Sequence, residues 1–454
     1  MKIRGFTILF LILLAGVSAR AEVLTVGQNG QFQTIASAMA AARNGDTIRV
    51  ENGTYTENLV LDKSVILESL GKPVIRGTGY GSIVTVTADG CVIRGFRFEK
   101  SGVDLQAEDA GILLKSNRNT VEDNELFDVL FGIYLYHSSG NSIRRNKVTG
   151  RTELETGERG AGLHLWNSPA NVLEDNEISA ARDGMYIQSS PNNTIRRNRV
   201  SNLRYGLHFM NSDDNRFEDN VFFDNIAGAA IMYSQGIELR RNAFVHNRGF
   251  SSFGILFQDC RQCVAEENLI LNNATGVFLE GLKNSVFRRN TIAENDLAIQ
   301  IFGSSQQNVF EQNNFIDNLS PLQLVGGKSA TRWQAENGSG NYWSDYDGYD
   351  LDGDGLGDVP HRIQNIFEHL EGNFPRLRVY LNSPAAQSVV AAEKSFPILK
   401  GSNEFDQKPL MRPVEIGMTF APQKSAGGAK WALFCISLSM LTFSGLVIRR
   451  GFKR

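Results

Sequence analysis

The sequence predicts an all-β chain, a right-handed parallel β-helix solenoid with coils of about 22 residues. Three observations carry that prediction. A Gly-apolar-any-apolar motif recurs, as Gly111-Ile112-Leu113-Leu114, Gly132-Ile133-Tyr134-Leu135, Gly162-Leu163-His164-Leu165 and Gly206-Leu207-His208-Phe209. The series continues through Ala230-Ile231-Met232-Tyr233 to Ala298-Ile299-Gln300-Ile301. This is strand periodicity in stretches too short for an independent sheet, so equivalent strands must pair from coil to coil. An Asn then closes each repeat, at 124, 146, 176, 198, 220, 242, 268, 290 and 313, which suits an internal amide ladder at a corner. Finally, the pair before that Asn alternates in sign: Glu122-Asp123, Arg144-Arg145, Glu174-Asp175, Arg196-Arg197, Glu218-Asp219, Arg240-Arg241. Stacked about 4.8 Å apart, like signs would repel and alternating signs pair.

The elements follow in order. Lys2 and Arg4 precede the apolar run Phe6 to Val17, and Ala19-Arg20-Ala21 has the small-x-small form of a cleavage site, so residues 1–21 read as a signal peptide. An open solenoid end exposes unpaired strand groups. Thr34 to Arg43 reads as the helix that caps it, leading into a first strand at Gly45 to Val50. The solenoid then occupies the chain to residue 320. Residues 321–415 form a C-terminal extension with an Asp-rich loop and a docking segment, Phe374 to Leu381 plus a capped helix from Ser383-Pro384 to Lys394. After a linker at 416–430, Trp431 to Ile448 is uncharged and long enough to cross a bilayer, and 449–454 is a basic tail. Positive-inside logic places the body outside the cytoplasm, in the periplasm and anchored to the inner membrane. A sorting tail removed after Gly427-Gly428 is the alternative.

Composition excludes other classes. The formal charge is −3, and the basic groups of both chain ends stand without acids, so the body between is more acidic still. Such a body has no footprint for a phosphate backbone, which argues against nucleic acid. With 42% apolar and 21% charged residues the chain is globular. Four cysteines (Cys91, Cys260, Cys263, Cys435) are too few for a disulfide scaffold.

The functional reading comes from the outward columns. In Gly-φ-x-φ the φ residues point inward, so x and the residue two further on point out. The middle coils then present Tyr134, Tyr136, His164, Trp166, Tyr186, His208, Met210 and Met232 as one patch, where a solvated face would carry Lys, Glu, Ser and Thr. Aromatic rows suit sugar stacking, and His with Met suits a soft cation such as Cu(I). His208 and Met210 share one face of a strand, with Met232 stacked one coil from His208. His164, two coils from His208 and about 10 Å away, is a relay rather than a co-ligand. The competing reading buries these residues beneath the long insertion at 149–160.

Cys260-x-x-Cys263 at a coil corner is a local disulfide, two idle thiols or a second soft-metal site. Asp350, Asp352, Asp354 and Asp358 take calcium-loop positions around Gly355, but His361 stands where the bidentate Glu belongs, leaving structural calcium or an acidic turn. Asp213-Asp214 is the adjacent acidic pair on the patch side, without the paired acid that glycoside chemistry needs. A carbohydrate-binding or sugar-cleaving β-helix is the alternative to a metal-handling one.

Longer stretches resemble a known family. Leu203-Arg204-Tyr205-Gly206-Leu207-His208-Phe209-Met210, Asp213-Asp214-Asn215 and Ala230-Ile231-Met232-Tyr233-Ser234 are similar to the NosD family of nitrous oxide reductase maturation proteins. So are Asn341-Tyr342-Trp343-Ser344-Asp345-Tyr346-Asp347-Gly348 and Pro409-Leu410-Met411-Arg412-Pro413-Val414. The resemblance implies a non-enzymatic periplasmic factor. It would work with an ABC transporter membrane subunit and a copper-carrying lipoprotein, handling copper or sulfur for the copper centres of nitrous oxide reductase. His208, Met210 and Met232 are where it meets the soft-metal reading. The C-terminal span departs from the family pattern.

Overall fold

The structure, a computed structural model, describes residues 21–326, 330–336, 338–363 and 404–417, with 380, 383–386 and 388–389. Each coil folds into three short strands, Thr194–Arg196, Arg199–Ser201 and Tyr205–Met210 in one of them. Repetition stacks these strands into three parallel sheets of 14, 13 and 12 strands among the described residues, a solenoid with every coil bonded to the next. Register is kept from coil to coil, with Leu173 paired to Ile195 and Ile195 to Phe217. The φ residues fill the interior: Leu163, Leu165, Met185, Ile187, Leu207 and Phe209 are all fully buried.

Polar order inside the coil goes beyond the one predicted Asn column. That column is continuous, each amide Nδ2 donating to the next Oδ1 at 2.9 Å along Asn176, Asn198, Asn220 and Asn242. A second ladder occupies another corner, Asn225 to Asn247 at 3.1 Å and Asn247 to Asn273 at 3.0 Å. A third joins Asn119 to Asn141 at 3.0 Å and Asn141 to Asn171 at 2.8 Å. Buried amides are tolerated because each finds the matching group one coil away. The motif glycines have a steric cause: a Cβ on Gly206 would lie 2.6 Å from the Gly228 carbonyl oxygen of the next coil.

The alternating charges pair as expected. Arg196 and Arg197 reach Glu174 at 2.6 and 2.9 Å, and Arg197 also reaches Asp175 at 2.8 Å. These arginines are largely exposed, so the alternation protects register more than it stabilises. Arg197→Ala should therefore cost less than about 1 kcal/mol in urea unfolding. A larger loss would show the ladder to be a main source of stability.

The ends differ from the sequence expectation. The first strand is Val23–Val26, before the helix, and it pairs with Thr47–Glu51. Gly45 to Val50 is thus second in order, because residues ahead of the helix already match the pleat. The helix spans Ile35–Ala41, capped by the Thr34 side chain. Strands also run past residue 320, through Ser320–Val325, Ala330–Arg332 and Tyr342–Trp343. The far end is closed by residues 404–416. Fully buried Asp406 accepts from Asn341 N at 2.7 Å and Trp343 Nε1 at 2.9 Å, and Leu410 N donates to Asn341 O at 2.9 Å. Two motifs distant in sequence, Asn341–Gly348 and Pro409–Val414, are one cap.

Among the described residues no helix is long and apolar enough to cross a membrane. The expected span at 431–448, the expected basic tail and all but the last residue of the expected signal peptide at 1–21 lie outside the described residues. So does most of the docking segment. Its helix is seen at 384–386 and 388–389, with the Ser383 hydroxyl accepting from Ala386 N at 3.2 Å.

Candidate metal centre

The 12-stranded sheet carries the patch on its outer face. Its register corrects one expected neighbour: His208 pairs with Ala230, and Met210 pairs with Met232. The repeat there begins at Gly228, two residues before the Ala230 motif, so Met232 stacks on Met210 and lies diagonal to His208. Met210 and Met232 are register neighbours, their backbones about 4.8 Å apart by strand spacing, and His208 lies two residues before Met210 on the same face. His208, Met210 and Met232 are all half-buried.

The contiguous exposed patch does not survive intact. Tyr134 and His164 are buried, at 2% and 6% exposure. Tyr134 joins Ala110, Leu113, Leu130, Phe131 and Ala161 in a second apolar cluster outside the coil, His164 stacks on its Phe131 ring, and Leu154 of the 149–160 insertion packs against that cluster. Arg159 holds the insertion closed, its Nε donating to Leu154 O at 2.8 Å and its Nη1 to Ala180 O at 3.3 Å. Tyr136 stays exposed, whereas Trp166 and Tyr186 are half-buried. The rings nonetheless form a continuous row. His164 stacks on Tyr134 at 4.3 Å, and Tyr186 lies edge-on to His164 at 4.8 Å and to His208 at 4.9 Å.

Both ring nitrogens of His164 lack a hydrogen-bond partner. Burial, with the Arg182 charge second, pushes its pKa down to about 3, so the ring is neutral. Burial likewise pushes the Tyr134 phenol well up, and its hydrogen bond with the Glu108 carboxylate adds to the effect.

The sequence reading missed Asp183. Its carboxylate is wholly buried and accepts from Arg204 Nε at 2.9 Å, Arg204 Nη2 at 2.7 Å and His208 Nδ1 at 3.2 Å. Burial alone would raise its pKa, but the hydrogen bonds from His208 and Arg204 outweigh it and hold the carboxyl below its ordinary value. With Nδ1 engaged by a carboxylate, Nε2 is the His208 nitrogen left for another partner, the arrangement by which proteins orient an imidazole as a metal ligand. A signal for Asp183 did exist: it is the charged member of a column that otherwise reads Ala161, Tyr205 and Ala227. One imidazole nitrogen and two thioethers make a donor set that fits a soft monovalent cation.

The other sequence candidates fall elsewhere. Cys260 and Cys263 point into the coil, 1% and 2% exposed, so the corner offers no open soft-metal site. Asp350, Asp352 and Asp354 bring carboxylate oxygens within 4.8 Å of one another. Asp350 accepts from Gly355 N at 2.9 Å and Gly353 N at 2.7 Å, bonds that hold its pKa low, while Asp358 accepts from Leu351 N at 2.6 Å. Asp213 accepts from Gln235 N at 2.9 Å, a corner contact between coils.

A family model described as periplasmic copper-binding protein (NosD) matches residues 145–348, the coils that carry this site. The probable ABC transporter binding protein NosD of Pseudomonas aeruginosa is 34% identical over 376 residues, 79% of this chain and 87% of that protein. Its counterpart in Stutzerimonas stutzeri is 32% identical over 384 residues, 80% and 86%. The chain belongs to the NosD family. Among solved structures, the A-module of the Azotobacter vinelandii mannuronan C-5 epimerase AlgE4 is similar at TM-score 0.51 and 16% identity, covering 65% of this chain and 93% of its own. The catalytic domain of a GH87 α-1,3-glucanase gives 0.50 and 13%, covering 71% and 69%. At those identities the likeness is one of fold alone. The NosD relatives are named as binding proteins, and the family is described as periplasmic and copper-binding.

Proposed function

We propose that the protein takes Cu(I) as cargo at His208, Met210 and Met232 and passes it on during assembly of the copper centres of nitrous oxide reductase. The observation that carries this reading is the His208–Asp183 hydrogen bond, which leaves Nε2 for another partner on the face where Met210 and Met232 are register neighbours. Thioether and imidazole donors prefer Cu(I) to the hard cations abundant in a cell, and a half-buried site on an outer face can both load and release. In this reading His164, a neutral ring behind Tyr186, relays rather than ligates.

In this reading an ABC transporter membrane subunit is the docking partner, consistent with the relatives' printed names, and a copper-carrying lipoprotein supplies the ion. Sulfur is the other cargo class compatible with such a partnership. The span at 431–448 would tether the protein to the inner membrane. Calcium at Asp350, Asp352 and Asp354 would be structural, because Met411 N donates to Gly355 O at 3.1 Å and Gly357 N to Pro409 O at 2.8 Å, tying that loop to the C-terminal cap.

Anaerobic Cu(I) titration of the purified protein tests the cargo site. The parent should bind tightly, and the His208→Ala/Met210→Ala/Met232→Ala variant should lose that binding while keeping its β-rich circular dichroism. Equal affinity in both proteins would move the site elsewhere, and absence of binding by the parent would discard copper as cargo.

A further inference from the structure

We propose that Cys260 and Cys263 are joined by a disulfide in the exported protein, a cross-link across one inner corner of the solenoid. That corner has a recurring chemistry in the earlier coils, where Ser and Asn stand three residues apart; the two coils that flank Cys260 and Cys263 depart from it, with Ser234-x-x-Ile237 before and Leu282-x-x-Ser285 after. Asn119 Nδ2 donates to Ser116 Oγ at 3.1 Å, and Asn141 Nδ2 donates to Ser138 Oγ at 2.8 Å. Ser168-x-x-Asn171, Ser190-x-x-Asn193 and Ser212-x-x-Asn215 repeat the spacing, there with Asn Nδ2 donating to the Ser carbonyl at 2.9, 2.7 and 3.1 Å, and Cys260-x-x-Cys263 takes the same two positions.

The backbone is unchanged by the replacement. Gln262 has φ 54°, as Ala170, Asn192 and Asp214 have 56°, 59° and 55° at the equivalent place. The Ser190 and Ser212 hydroxyls donate to the carbonyl two residues back at 2.8 and 2.9 Å, and Cys260 Sγ makes the same contact to Gln258 O at 3.3 Å. The two thiols, both free in this structure, therefore take the positions of a pair that is hydrogen-bonded side chain to side chain at 116/119 and 138/141, and each is close enough to act on the other. One bond between sulfurs replaces one hydrogen bond between Ser and Asn.

Cys91 is an internal contrast. It occupies the Asn position of an earlier coil, its N donating to Asn119 Oδ1 at 2.9 Å, but Ala88 stands three residues before it, so no second thiol faces it. Burial to 1% and 2% also decides when the reaction happens. It precedes closure of the coil, while the chain is still open to a partner. In the step, the two S–H bonds break and one S–S bond forms. Two electrons and both protons pass to the disulfide of an oxidising thiol–disulfide exchange partner, which leaves as a dithiol. The family's periplasmic description places the chain where such chemistry is sustained. A consequence, resting on the copper reading, is that no inner thiolate pair competes with the outer His/Met site for Cu(I). The cross-link itself does not depend on that reading.

The test is thiol counting on the full chain exported to a bacterial periplasm, quenched in acid, denatured and labelled with a maleimide-polyethylene glycol. Reduction before labelling should reveal two further thiols, and the Cys260→Ser/Cys263→Asn variant, which gives this corner the Ser/Asn pair of the earlier coils, should show no increment. All thiols labelling without reductant would overturn the proposal. So would two thiols released by a Cu(I) chelator alone, which would mean a copper bridge. No copper binding is read in the main assay, so failure of the cargo site and failure of the cross-link are separate results.

Discussion

Asp183→Ala should unfold at clearly lower urea concentration than the parent, a loss of about 3–5 kcal/mol, and should bind Cu(I) about 10–100-fold more weakly. The stability loss follows from what the substitution leaves behind. Asp183 is fully buried, and Arg204 approaches it with two parallel hydrogen bonds at 2.9 and 2.7 Å. Removing the carboxylate strands that guanidinium over Tyr205, with its charge uncompensated in a partly desolvated place. The affinity loss has a different origin, because His208 loses the acceptor that fixes its Nδ1–H. Asp183→Asn keeps the volume and an acceptor but not the charge, so it should recover part of the affinity and less of the stability. Parental Cu(I) affinity in Asp183→Ala would show that His208 is not held for a metal.

Acidification from pH 6.5 to pH 4 should cost about 3 kcal/mol of stability through His164 alone. Its pKa is pushed down to about 3 in the folded protein, against about 6.5 in an unfolded chain. Between those values the unfolded chain binds a proton that the native ring refuses, so stability is complete above pH 6.5 and drains away as pH falls. Salt-bridged carboxylates such as Asp123 and Asp175, also held low, contribute below pH 4 instead, which separates the two windows. His361 is lowered by burial and shares the upper window, so the single variant His164→Phe isolates the effect. That variant places a ring of similar shape among Phe131, Tyr134 and Tyr186 and removes two unpartnered nitrogens. It should be more stable at neutral pH by about 1–2 kcal/mol, with a flatter profile between pH 6.5 and 4. An unchanged profile would mean that the native ring accepts the proton. A gain in stability joined to a loss of copper transfer would mark His164 as a position kept polar for function at the expense of stability.

The legible part of this chain is the part that repeats. Asn176, Asn198 and Asn220 recur every 22 residues and touch one another every 22 residues, so the spacing in the sequence is the contact itself. The same holds for Glu174 against Arg196 and for Leu207 and Phe209 facing the core. That His208 and Met210 share one outward face is readable because position within the motif sets which face a side chain takes. Two positions mark the limit. Met232 was placed beside His208 because Ala230 resembles the motif's opening Gly, whereas the strand pairs from Gly228. For Tyr134 and His164 the outward column favours the surface and the 149–160 insertion favours burial; the periodicity cannot choose between the two, and Leu154 of the insertion packs against their cluster.

Solenoid architecture, inward and outward faces, and the soft-donor identity of the patch were therefore determined by sequence, since each coil contacts only its neighbours and a local period suffices to encode it. Tertiary structure alone decided which outward rings see solvent, that buried Asp183 orients His208, that residues 341–358 and 404–416 make one cap, and that Cys260 and Cys263 face inward together. Each of these depends on burial or on contacts that carry no period, and burial is a property of the folded surroundings rather than of any stretch of chain.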